Sequence, residues 1–239
     1  MQLSLPLFPP LPPDANSVPC RAALFDLDGT LVRTFIDFPA MRRTVQGLSV
    51  RRGTSAATAD LDDTLTIVEA IATTLGGEAG VTARREAFTL LEALERQGCA
   101  HPEPIAGASA LLRCLREERD IPIGVITRNA RSISEELLQR MDLPYDVLIA
   151  REDTPEFKPH PIPILLACER LGVSPANAVM TGDLWTDIGA GRAAGVRATI
   201  GIQWPHDPPQ RFSRCAPDFA VASLIEAAEI LVGQINLSP

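Results

Sequence analysis

Asp26 and Asp28, two residues apart, close a short apolar run, Ala22 to Phe25, and Gly29 follows at once. On an extended backbone such a pair projects to one side, and glycine permits a turn that other residues resist. Gly182-Asp183 ends a second apolar run, Ala178 to Thr181, with Asp187 four residues beyond Asp183. Thr127 ends the run Ile121 to Ile126, and Lys158 lies in the segment after Asp146 to Ala150. Four carboxylates drawn together repel, and their pKa values rise unless cations join them. Oxygen donors with open positions suit Mg²⁺, which takes a few carboxylates and keeps places for phosphate and water. Lys158 would supply a further positive charge. Such a site is suited to a dianionic phosphoryl group.

Each residue also has an ordinary structural use. Asp28-Gly29 and Gly182-Asp183 can be turns, Thr127 a strand cap, Asp187 a partner of a helix dipole, and Lys158 a surface charge. Their shared position separates the two readings: each sits at or just beyond the carboxyl end of a strand, where open α/β sheets gather their ligands. Lys158 is also the single lysine beside 21 arginines. A lone lysine in that setting suggests a place where a compact ammonium fits and a planar guanidinium does not.

The elements that must hold these residues follow from periodicity. Helical spacing begins near Asp37, with Phe38, Met41, Val45 and Leu48 on one face and Pro39 in the first turn. A second helix is predicted from Ala59 to Leu75, stopped by Gly76-Gly77, and a third from Thr82 to Gly98. Three helices without a strand make residues 34–102 an all-α insert after the first strand. From Ile105 helix and strand alternate: helix 108–119, strand 121–126, helix 132–141, strand 146–150, helix 161–171, strand 178–181, helix 186–194 and strand 196–202. A short strand from Asp218 and a helix from Leu224 to Val232 finish the pattern. This alternation predicts an α/β fold, a Rossmann-like parallel sheet with helices on both faces. The core is then discontinuous, residues 20–33 and 103–239. Residues 1–19, with six of the 21 prolines, are expected to be a flexible tail and carry no secretory pattern.

Composition narrows the function. A net charge of −8 argues against a nucleic-acid or anionic-membrane surface, and no apolar run has membrane-spanning length. The five cysteines are scattered and the three histidines, at 101, 160 and 206, do not cluster, so neither a disulfide framework nor a zinc site is expected. A reducing, cytoplasmic setting fits.

Taken together, Asp26-x-Asp28-Gly-Thr-Leu, the strand-terminal Thr127, Lys158-Pro159 and Gly182-Asp183-x-x-x-Asp187 resemble the four motifs of the haloacid dehalogenase superfamily. The stretch from Gly182 to Gly195 is similar to its phosphoglycolate-phosphatase-like branch, and the insert at 34–102 resembles that branch's helical cap, short at three helices. The resemblance implies a Mg²⁺-dependent phosphatase acting on a small phosphorylated metabolite. Asp26 would be the nucleophile, forming an aspartyl-phosphate, and Asp28 the general acid and then base. Asp26, the Asp28 backbone carbonyl and Asp183 would hold Mg²⁺, supported by Gly182 and Asp187. Thr127 would bind a phosphoryl oxygen, and Lys158 would offset charge on nucleophile and phosphate.

Two departures sharpen this. The superfamily's dehalogenases lack the second aspartate, so Asp28 points to phosphoryl transfer. The phosphonate-cleaving branch uses a cap lysine, and residues 34–102 have none. A phosphomutase of the same branch would keep the same core residues, and a phospho-ligand sensor would not need the nucleophile. Arg128 and Asn129, beside Thr127, are further candidates for substrate contact. Arg42, Arg43, Arg51 and Arg52 read first as a solvated helix face, and His160 as loop structure.

Overall fold

All four residues of β1 (Ala22–Phe25) are buried, as expected of a strand covered on both faces. The computed structural model describes residues 20–208 and 210–235, so the proline-rich segment 1–19 lies outside the described residues. The chain divides into two compact units, one running to Arg33 and resuming at Glu103, the other Thr34–Pro102.

In the first unit a two-residue antiparallel ribbon, β2 (Val32–Arg33) with β3 (Glu103–Pro104), accompanies a six-stranded parallel sheet. The sheet's later strands are β4 (Ile123–Ile126), β5 (Val147–Ile149), β6 (Ala178–Gly182), β7 (Ala198–Ile202) and β8 (Phe219–Val221). Their order is β5-β4-β1-β6-β7-β8. Phe25 pairs with Val125 on one side and Thr181 on the other. The residues just beyond these three strands, Asp26, Thr127 and Asp183, therefore emerge at one sheet edge.

The second unit holds four helices where three are predicted: α1 (Phe38–Arg51), α2 (Ser55–Thr58), α3 (Thr64–Leu75) and α4 (Gly77–Gly98). In α1 the Asp37 side chain accepts from the Ala40 amide at 2.7 Å, and Met41, Val45 and Leu48 are buried. Phe38, expected on that buried face, is instead exposed. The predicted helix from Ala59 is shorter because Asp63 caps at Thr66, accepting from its amide at 2.9 Å. α4 starts five residues before Thr82 (Gly77 against Thr82) because Gly76, at φ +64°, both ends α3 and opens the next helix. The helix opens on this backbone conformation and not on a side-chain cap.

α4 carries Gly80, where an added Cβ would lie 2.2 Å from the Ala72 carbonyl of α3. Propensity alone says Gly80→Ala should stabilise the helix by about 0.5–1 kcal/mol. Forced separation of the two helices outweighs that, and the expected result is a net loss of about 1–3 kcal/mol. Denaturant unfolding of the variant, followed by circular dichroism, checks the sign.

The helices of the first unit are α5 (Ala108–Arg113), α6 (Arg131–Arg140), α7 (Ile162–Leu171), α8 (Trp185–Ala194) and α9 (Leu224–Ile235). The predicted helix 108–119 is α5 followed by a π turn, Cys114–Glu118. Ile164, Ala167 and Cys168 of α7 pack against Ala22, Leu24, Ile126, Ile149 and Met180. Because side chains alternate along a strand, the equally buried Ala23 and Phe25 are covered from the sheet's other face.

Candidate active site

The first acidic motif leaves the sheet under tight constraint. The Asp26 amide donates to the Thr181 carbonyl at 2.9 Å, which fixes the residue to β6 as well as to its own strand. Gly29 then turns the chain at φ +84°, its amide donating to the Val32 carbonyl at 2.8 Å. A Cβ there would lie 2.5 Å from Asp183 Oδ2. Glycine is required twice over, by conformation and by the closeness of Asp183. Gly182 is confined likewise: its Cβ would meet the Asp187 side chain at 2.4 Å.

Lys158 joins the motifs. From the loop between β5 and α7 its Nζ donates to Asp26 Oδ1 at 2.6 Å, to Asp187 Oδ1 at 2.7 Å and to the Ile126 carbonyl at 2.7 Å. Three acceptors use all three ammonium protons. The other Asp187 oxygen, Oδ2, accepts from the Leu184 amide at 3.0 Å, so that carboxylate is held at both ends. Asp26, Lys158, Asp183 and Asp187 are all buried, as are Thr127 and Asn129.

Burial dominates the electrostatics. It raises the Asp26 carboxyl well above the ordinary range; Lys158 pulls it back, and the Asp187 and Asp183 charges push it further up. Asp183 is pushed up to about 7 by burial and then by Asp187, against the pull of Arg211, with Asp28 adding to the rise. Burial alone would lower Lys158, but the Asp187 and Asp26 carboxylates outweigh it and raise its pKa. The carboxylates of Asp26, Asp183 and Asp187 offer oxygens within 4.8 Å of one another. Buried oxygen donors carrying surplus negative charge fit a hard divalent cation.

Beside the cluster, the Asn129 amide donates to Thr127 Oγ1 at 3.2 Å and its carbonyl accepts from the Arg151 amide at 3.1 Å. Asn129 Nδ2 is buried with no hydrogen-bond partner. Such a donor is costly to leave unmade. Asp28 and Arg128 are half-buried.

His160 is exposed, its Nδ1 accepting from the Ile162 amide at 3.3 Å. Arg51 and Arg52 pair with Glu86, and Arg43 with Asp37 at 3.8 Å, all within the helical unit. Arg211 was not anticipated. Its guanidinium donates to both the Asp183 carbonyl and Asp183 Oδ2. Nothing in the sequence distinguishes it from the other 20 arginines.

The sequence model of the haloacid dehalogenase-like hydrolase family matches residues 20–195. The chain belongs to that family. It is a hydrolase whose matched segment carries all four motifs. It is 32% identical over 207 residues to the N-acetylmuramic acid 6-phosphate phosphatase of Pseudomonas putida, spanning 80% of this chain and 88% of that one. It is also 32% identical over 202 residues to a phosphoglycolate phosphatase of Xylella fastidiosa, spanning 80% of this chain and 83% of that one. A crystal structure of a predicted phosphoglycolate phosphatase from Haemophilus somnus shares the fold. Its TM-score is 0.60 at 18% identity, covering 88% of this chain and 97% of that one. Among the described residues no helix is long and apolar enough to cross a membrane.

Proposed function

We propose that this hydrolase is a Mg²⁺-dependent phosphatase that releases phosphate from a small phosphate monoester through an aspartyl-phosphate on Asp26. The observation that carries this reading is the buried Lys158 ammonium shared between Asp26 Oδ1 and Asp187 Oδ1. It keeps one Asp26 oxygen engaged and the carboxylate oriented, and it brings positive charge to where a phosphoryl dianion would arrive. The curated relatives above, named as phosphatases of small phosphorylated compounds, support the same substrate class.

In the first half-reaction the Asp26 carboxylate attacks phosphorus in line through the oxygen that Lys158 does not hold, and the bond from phosphorus to the ester oxygen breaks. Asp28 gives its proton to that leaving oxygen. In the second, Asp28 takes a proton from water, the water oxygen bonds to phosphorus, and Asp26 departs as carboxylate. Thr127 Oγ1 and Asn129 Nδ2 hold phosphoryl oxygens, with Arg128 at the substrate side. Asp26, the Asp28 carbonyl and Asp183 would hold Mg²⁺, with Gly182 and Asp187 shaping that side of the site. When bound, Mg²⁺ would neutralise charge on the phosphoryl oxygens. Residues 34–102 act as the helical cap whose residues set substrate choice. The reading includes a cytoplasmic setting, in keeping with free thiols at Cys20, Cys99, Cys114, Cys168 and Cys215.

Phosphate release from N-acetylmuramic acid 6-phosphate, 2-phosphoglycolate, sugar phosphates and pyrophosphate, with Mg²⁺ or with chelator, tests this. The expected result is Mg²⁺-dependent release from at least one monoester, falling on the order of 10²–10⁴-fold in Asp28→Asn. No release from any of them, or release that ignores chelator, overturns the reading.

A further inference from the structure

The segment between β7 and β8 is built onto the acid cluster. Trp204 Nε1 donates to the Gly29 carbonyl at 2.9 Å, tying the segment to the first acidic turn. The Trp204 amide donates to Asp207 Oδ2 at 3.1 Å, and Asp207 Oδ1 accepts from an Arg211 terminal nitrogen at 2.8 Å. Arg211 then donates through Nε to the Asp183 carbonyl and through its other terminal nitrogen to Asp183 Oδ2. At the segment's base Phe212 and Pro217 press on Gly201, where a Cβ would lie 2.8 Å and 2.7 Å from them. Trp204, Asp207 and Arg211 thus form a brace that spans from Gly29 to Asp183.

This brace places a permanent cation on a carboxylate that the proposed metal also needs. A guanidinium cannot be discharged by losing a proton, so its charge is relieved only by movement. Asp207, with a side chain 7% exposed, supplies a second carboxylate on which the guanidinium can remain when it leaves Asp183. Lys158 is committed to Asp26 and Asp187 and is not aimed at Asp183. Each of the two cations therefore covers a different part of the acid cluster.

We infer that Arg211 is a built-in counter-cation that competes with the divalent ion for Asp183 and so sets the protein's metal affinity. The inference rests on the metal site proposed above and concerns a residue outside the four motifs. Arg211 touches no reacting atom; it is a positioning residue whose effect runs through Asp183. A role confined to holding the segment together would leave metal affinity unchanged or lower when Arg211 is replaced. Competition raises it.

Titration of the full chain with MnCl₂ alone, without substrate, at pH 8 and followed by the electron paramagnetic resonance of free Mn²⁺, separates these. Arg211→Gln is expected to bind Mn²⁺ tenfold or more tightly than wild type. Arg211→Lys keeps the charge but cannot donate to both the Asp183 carbonyl and its carboxylate, and is expected to fall between. Trp204→Phe, which frees the brace at Gly29, is expected to tighten binding about twofold to threefold, and Asp183→Asn to abolish it. Equal or weaker binding by Arg211→Gln overturns the inference while leaving the metal site standing. If that variant does not fold, Arg211→Lys decides by the same criterion. Binding by neither wild type nor Arg211→Gln overturns the inference and the metal site together.

Discussion

Asp26→Asn is expected to abolish turnover and, at the same time, to raise the thermal stability of the metal-free protein. The loss of activity follows from removing the attacking oxygen, and a fall on the order of 10⁴-fold or more is expected. The gain in stability follows from the electrostatics of the cluster. Burial raises the Asp26 carboxyl well above its ordinary range, with Asp187 and Asp183 adding to the rise despite Lys158. The folded state therefore holds a proton more tightly than the unfolded chain. Stability falls as pH rises from the ordinary carboxylate range towards the raised value. Asn has the same shape without that charge, and Lys158 keeps Asp187 at 2.7 Å. Calorimetry with chelator at pH 5 and pH 8 should show the variant melting a few degrees above wild type, with the wider gap at pH 8. A variant that melts below wild type at pH 8 would refute this account of the cluster.

Lys158 is the opposite case. Lys158→Met is expected to cost about 3–5 kcal/mol at pH 8, because it leaves Asp26 and Asp187 facing each other, buried and without their cation. Its raised pKa means its contribution is fully present below the lysine range and is lost only as pH rises through the folded value. Near neutrality the deficit is therefore set by the carboxylates, and it should shrink as pH is lowered and Asp26 takes up a proton. Lys158→Arg should not restore function. Three acceptors within 2.7 Å converge on one point, which a tetrahedral ammonium satisfies and a planar fork does not. Denaturant unfolding at pH 5 and pH 8, with phosphate release alongside, checks both variants. An arginine variant with wild-type turnover would show that the site does not require a compact ammonium.

How far the sequence could be read depended on the kind of signal each residue carries. β1 was legible because a strand buried on both faces is a continuous apolar run, and its last residue had to meet the sheet edge. Asp26, Asp28, Asp183 and Asp187 were legible because chain spacing and strand ends fix their placement locally. Lys158 stood out as the single lysine and by its place in the loop after a strand. The helical segment was less legible. Gly76 ended one helix and began the next through its backbone, which leaves no side-chain signature, so the start of α4 was misplaced. Phe38 matched the helical period yet is exposed, since periodicity does not say how wide a face the neighbours cover. Local sequence determined the parallel sheet and the acidic edge. Tertiary structure alone decided that Arg211, 28 residues after Asp183, returns to that carboxylate. The path of a loop and the pairing of one arginine among many depend on contacts distant in sequence, which local spacing cannot encode.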